Sequence, residues 1–251
     1  MEPFLLALIV FFIAILFSML GLGGAIIYVP LFYWSGIDLL IAIPTALLLN
    51  AVTSGSASLT YLKEKMVDLR TALPFIASAT VGAPIGAYFT KFTPVDTILW
   101  FFALWLAIVG AKMIISRDSR KNLENGENIE SKKRMAIGMG FGFLTGFVSG
   151  LMGIGGGTIM VPLFVALGFG IKRASATSAF VMVFSSLSGF LGHLGSGHLD
   201  IHLMTYTAIA AFLGAQIGSH LMHSKMRSRT IKQIFGLVLW LIAIRIATSL
   251  L

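Results

Sequence analysis

Two stretches of this chain combine residue types that a buried helix ordinarily excludes. Residues 21–32 read GLGGAIIYVPLF and residues 153–164 read GIGGGTIMVPLF. Each sits inside a long apolar run, opens with clustered glycines, and places a proline nine positions after its first glycine (Pro30, Pro162). Glycine costs about 1 kcal/mol against alanine in a helix interior, and proline about 3 kcal/mol. Such a cluster stops one helix and starts another. A helix that starts there presents free N–H groups and a positive dipole end, the arrangement that favours anions, and glycine lets a ligand approach that backbone closely. The segments that follow add hydroxyls and an amide without charge, suited to holding a dehydrated oxyanion and releasing it again. The candidate anion-binding residues are therefore Gly21, Gly23, Gly24, Ala25, Asn50, Thr53 and Ser54 in the first half. In the second they are Gly153, Gly155, Gly156, Gly157, Thr158, Ser185 and Ser186, joined by Gln216. The competing reading is close packing, since small residues let membrane helices approach and serines bond back to their own helix carbonyls.

The elements that must position these residues are themselves duplicated. An offset of 132 carries Gly21 onto Gly153, and the register holds without a gap from there to GAPIG at 82–86 and GAQIG at 214–218. Along the way Thr45 meets Thr177, Ser54 and Ser56 meet Ser186 and Ser188, and Asp68 meets Asp200. Duplicated membrane halves are a transporter signature. The first repeat, 1–115, offers apolar segments at about 3–19, 24–35, 40–62, 70–90 and 95–115; the second, 135–251, offers them at about 135–150, 156–168, 173–195, 201–222 and 230–250. A spanning helix needs roughly 20 apolar residues, so the pieces after the glycine breaks read as half-helices. Residues 116–134 are polar and aperiodic, which predicts a flexible cytoplasmic linker. GAPIG and GAQIG read as close-packing motifs, with Gln216 opposite Pro84 as the exception.

Composition fixes the class. The 251 residues are 57% hydrophobic and only 11% charged, where a soluble domain carries about 25%. The expectation is an all-α membrane protein of about eight to ten segments, two of them half-helices. The net charge of +8 does not indicate nucleic acid, because the basic residues cluster between apolar segments as topology signals do. If the chain turns back at each break, the loops at 63–70, 112–134, 172–173 and 225–232 share one face. That face then holds every lysine and arginine except Lys91 and Arg245. The positive-inside rule favours this division. Each half then crosses an odd number of times, so the halves are inverted and both termini lie outside a cell (inner) membrane that the chain crosses many times. The apolar N-terminus occupies the place in repeat 1 that Met135–Ser149 holds in repeat 2, and so belongs to the fold. Nothing in the sequence fixes an oligomeric state.

Other chemistries find little support. There are no cysteines, and no phosphate-loop or HExxH pattern, so neither a cofactor nor a metal is expected. Asp68 and Asp200 precede apolar segments and read as helix N-caps. No Asp or Glu stands well inside a spanning segment, which argues against a carboxylate proton relay and leaves the membrane potential as the expected driving force. His193 and His220 are the titratable candidates near the membrane. His198 and His202, four apart, would suit a metal only if Asp200 between them were not a cap; on that pair rests the competing class, a membrane enzyme or an accessory subunit with a lipid- or partner-binding cavity.

The paired GLGGAIIYVPLF and GIGGGTIMVPLF, with the later GAPIG and GAQIG, resemble the sulfite exporter TauE/SafE family over nearly the whole chain outside 116–134. The resemblance implies secondary transport, as an exporter, of small sulfur-containing anions such as sulfite or organosulfonates. The first copy departs from the second at Ala25, where the second has Gly157, which makes the two half-sites unequal.

Overall fold

The structure, a computed structural model, describes residues 3–94, 131–167, 169–194 and 199–224, with isolated positions between 96 and 111 and between 237 and 248. The described elements are helices: α1 (Pro3–Leu20), α2 (Ala25–Trp34), α3 (Leu39–Lys63), α4 (Leu69–Thr90), α5 (Ser131–Met152), α6 (Gly157–Ala166), α7 (Ile171–His193) and α8 (Ile201–Ser224). Among the described residues there is no strand. Helix α5 begins at Ser131, so residues 131–134 are helical although the sequence placed them in the linker. The rest of that linker, and most of the segments expected at 95–115 and 230–250, lie outside the described residues.

Five helices (α3, α4, α5, α7 and α8) are long and apolar enough to cross a bilayer. Helices α2 and α6 have 10 residues each, roughly 15 Å, or half the hydrocarbon core. Both start where the glycines end, at Ala25 and Gly157. Asp68 accepts from Thr71 N–H at 3.2 Å and Asp200 from Leu203 N–H at 2.9 Å, so both serve as the N-caps read from the sequence.

Helices α3 and α7 pack on each other and are the most enclosed of the five long helices. Around them the contacts are reciprocal. Helix α2 lies on α3 and α6 on α7; α4 packs on α5 and α7, while α8 packs on α1 and α3. The reciprocity reaches single atoms. A Cβ on Gly82 or Gly86 would collide with the carbonyls of Phe143 and Phe147 on α5, and one on Gly214 or Gly218 with those of Phe11 and Ile15 on α1. These are equivalent residues at the 132 offset, so the GxxxG-type motifs are helix-packing notches in both halves. Ser56 Oγ donates to Phe212 O at 3.0 Å, and Ser188 Oγ to Thr80 O at 2.7 Å, again an equivalent pair.

Candidate anion site at the two helix breaks

The breaks lie in the protein interior: Gly21–Gly24 and Gly153–Gly157 are all buried. Non-helical backbone at membrane depth is tolerated where it is buried in protein or lines a water-filled cavity. Gly23 (φ 82°) and Gly155 (φ 79°) take up the left-handed backbone that L side chains disfavour. What these two glycines face is the informative point. A Cβ on Gly23 would overlap Asn50 Oδ1, and a Cβ on Gly155 would overlap Asn50 Nδ2. Both breaks therefore converge on one carboxamide, at the middle of α3.

Asn50 is fully buried and satisfied at both ends. Its Oδ1 accepts from Ala25 N–H, at the start of α2, at 3.2 Å. Its Nδ2 donates to Ser186 Oγ on α7 at 2.7 Å. One side chain thus ties the N-terminus of a half-helix in the first repeat to the long helix of the second. Ser54, one turn after Asn50 on the same face of α3, is 1% exposed, and its hydroxyl has no partner among the described residues. Ser58 on α3 and Ser178 on α7 are likewise buried without a partner among the described residues. They continue the i, i+4 stripes Asn50–Ser54–Ser58 and Ser178–Met182–Ser186. Buried hydroxyls are normally bonded, so these unpartnered donors along α3 and α7 stand out.

The expected residues divide among several roles. Gly23, Ala25, Asn50, Gly155 and Ser186 come together, with Ser54 beside them. Gly24 faces the ring of Tyr28, whose hydroxyl lies 3.3 Å from Thr53 Oγ1. Gly21 packs on the Ser175 backbone of α7, and Gly153, its equivalent, on Val29 and Ile43. Gly157 faces the Met182 thioether, and Thr158 beside it is buried. Gly156 (φ 70°) shares the left-handed backbone but faces α5: a Cβ there would meet Thr145 O at 3.5 Å, an ordinary contact. Ser185 bonds back to Met182 O at 3.4 Å, the packing role that serines take in helices. Gln216 is engaged elsewhere; its Nε2 donates to Ser56 O at 3.0 Å and Ser56 Oγ at 2.9 Å, about a turn and a half beyond Asn50 along α3.

Sequence reasoning did not single out Tyr28, Tyr61 or Met182. Tyr61 Oη donates to Ser18 O, and His193 Nε2 bonds Gly150 O at 2.9 Å. These pairs are equivalent at the 132 offset. Each clamps a carbonyl in the last turn ahead of a break, where helix-end carbonyls lack intrahelical partners. The register could have paired Tyr61 with His193 as two polar-tipped rings. His198 lies outside the described residues, while His202 and His220 are exposed.

Comparison with known proteins decides what kind of molecule this site belongs to. The description Sulfite exporter TauE/SafE matches residues 6–246. The chain belongs to the TauE/SafE family. It is 32% identical over 246 residues to the probable membrane transporter protein YunE of Bacillus subtilis, covering 90% of each chain. It is 25% identical over 232 residues to the probable membrane transporter protein MJ0441 of Methanocaldococcus jannaschii, covering 85% of this chain and 84% of that one. A shorter match, 38% over 80 residues, is to Sulfite exporter TauE/SafE family protein 3 of Arabidopsis thaliana, covering 32% of this chain and 17% of that protein. No solved structure matches the chain. This TauE/SafE chain is a multi-pass membrane transporter and not an enzyme, and its glycine breaks are a feature of a transporter's interior.

Proposed function

We propose that this chain exports small sulfur-containing oxyanions, sulfite or organosulfonates, across the cell membrane, holding the anion between the two helix breaks. The observation that supports the reading is the convergence of Gly23 and Gly155 on Asn50, beside the hydroxyl of Ser54, which has no partner among the described residues. A helix N-terminus favours anions, and neutral hydroxyl and backbone N–H donors bind them without the retention that a fixed cation would impose. The family name supports the choice of sulfite as the first substrate to try.

The arrangement in the membrane follows from charge and repetition. Contacts such as Ser56–Phe212 and Ser188–Thr80 recur with the halves exchanged, as expected of repeats related by a twofold axis. Placing that axis in the membrane plane inverts the halves, collects the basic loops in the cytoplasm, and leaves both termini outside.

Export of an anion needs no proton carrier. One negative charge moving outward down an inside-negative potential releases about 2.3 kcal/mol per 100 mV. At about 1.4 kcal/mol per tenfold, this sustains roughly a 50-fold outward gradient of a monovalent anion. Transport is then electrogenic and driven by the potential alone. Proteoliposomes loaded with labelled sulfite and clamped by a potassium–valinomycin potential test this. Efflux should accelerate with an inside-negative potential and ignore imposed pH or sodium gradients. Efflux that follows either gradient and not the potential would overturn the uncoupled mechanism.

A further inference from the structure

Asn50 has no chemical counterpart in the second half. The residue 132 positions on is Met182, and the two side chains sit at equivalent places on the paired helices α3 and α7. Asn50 Nδ2 reaches across to Ser186 Oγ. The mirror contact would run from residue 182 to Ser54, the equivalent of Ser186. A thioether has no proton to donate and is a weak acceptor, so it cannot supply that bond. Ser54 is left 1% exposed with an unpartnered hydroxyl among the described residues, while Ser186 is satisfied. Of the two equivalent hydroxyls, Ser186 has its partner and Ser54 has none among the described residues.

The filled position has a further property. Asn50 Oδ1 accepts from the N–H of Ala25 at the start of α2, where an oxygen of a bound anion would sit if the half-helix dipole held it. The carboxamide also fills the space that Gly23 and Gly155 leave between the breaks. It therefore occupies the convergence point with a neutral oxygen, in competition with any ligand.

We infer that Asn50 is the specificity latch of this transporter: its carboxamide oxygen holds the α2 N-terminus, and an oxyanion enters by displacing it and taking a hydrogen bond from Ser54. The inference rests on the anion site proposed above and deepens it. The displacement selects for charge. A hydrogen bond from N–H to a full negative charge is roughly twice as strong as one to a neutral oxygen. An oxyanion therefore displaces the amide oxygen, whereas a neutral sulfone, sulfoxide or alcohol gains nothing over it. Met182 contributes to selection by leaving Ser54 free. An ionised carboxylate at position 50 would be an internal anion, competing with the substrate for the α2 N-terminus.

The test is equilibrium binding of labelled sulfite and of methanesulfonate to the purified full chain, with dimethyl sulfone as a neutral competitor. Asn50→Asp should weaken anion binding by about tenfold or more where its carboxyl is ionised, from like-charge repulsion and an occupied site, and the weakening should grow as pH rises. Asn50→Ala removes the competing oxygen, so it should bind the anions more tightly than the native protein, by about threefold or more, and should become sensitive to dimethyl sulfone, which the native protein ignores. Asn50→Ser replaces Asn50→Ala if the alanine variant does not purify as a monodisperse species. Native-like anion binding by Asn50→Asp would overturn the latch. So would an Asn50→Ala loss equal to that of Asn50→Asp, which would make Asn50 a direct ligand. Ser54→Ala separates the two claims. It should weaken anion binding without admitting the sulfone. Native affinity in Ser54→Ala and both Asn50 variants together, or a native protein that binds neither anion, would place the fault in the proposed site and not in the latch.

Discussion

Asn50 of the first half and Ser186 of the second, 136 positions apart in the chain, share a buried hydrogen bond of 2.7 Å at the place where both glycine breaks meet. This contact joins the two halves through residues that neither half could satisfy alone. It also explains why the breaks need glycine on both sides, since a side chain at position 23 or 155 would displace the carboxamide between them.

The clamp on the second break predicts a structural role for His193. Its Nε2 bonds Gly150 O as Tyr61 Oη bonds Ser18 O, and the acceptor is a carbonyl, so Nε2 carries the proton. His193→Tyr should therefore keep sulfite efflux, with an unchanged response between about pH 6 and 8, where histidine titrates. His193→Leu orphans a buried carbonyl and should cost about 1–3 kcal/mol of stability. Thermal unfolding in detergent checks the second result. A pH response abolished in a folded, active His193→Tyr would make His193 a proton carrier.

Gln216 predicts the opposite separation of stability and binding. Its amide is spent on Ser56 O and Oγ, in the contact between α8 and α3. Gln216→Leu should lower thermal stability by about 1 kcal/mol, the scale of interhelical hydrogen bonds in membranes, and leave the half-saturating sulfite concentration unchanged. A raised half-saturation with unaltered stability would return Gln216 to the substrate path.

These two residues show where the sequence was legible and where it was not. The breaks, the starts of α2 and α6, and the caps at Asp68 and Asp200 were readable because glycine, proline and capping aspartate act on the local backbone whatever surrounds them. The packing notches at 82–86 and 214–218 were readable from their spacing. Gln216 stood out as a lone polar residue opposite Pro84, but its partner Ser56 lies in the other half, and register comparison aligns equivalents without showing contacts. Asn50 was one polar residue among several for the same reason. Its position between the breaks depends on how α3 meets α7, and the significance of Met182 emerges only once Ser54 is found without a donor or acceptor.

The charge distribution predicts the orientation. With the loops at 63–70, 112–134, 172–173 and 225–232 in the cytoplasm, both termini face outward. Epitope tags at each end should be accessible to antibody on intact cells and resistant to cytoplasmic labelling. Cytoplasmic tags at both ends would indicate that each break is a kink within one span and that the halves are not inverted.

The most direct test of a site between the breaks uses Gly156 at the start of α6, where φ is 70° and a Cβ would come within 3.5 Å of Thr145 O. A leucine there puts bulk and backbone strain at the helix N-terminus proposed to hold the anion. Gly140, whose Cβ would meet nothing within 4 Å, lies on the exposed face of α5 and serves as the control. Labelled-sulfite efflux from proteoliposomes should fall to the level of empty liposomes in Gly156→Leu and stay native in Gly140→Leu, with both proteins monodisperse and equally incorporated. Native efflux through a folded Gly156→Leu would contradict the account and return the glycine breaks to a role in packing.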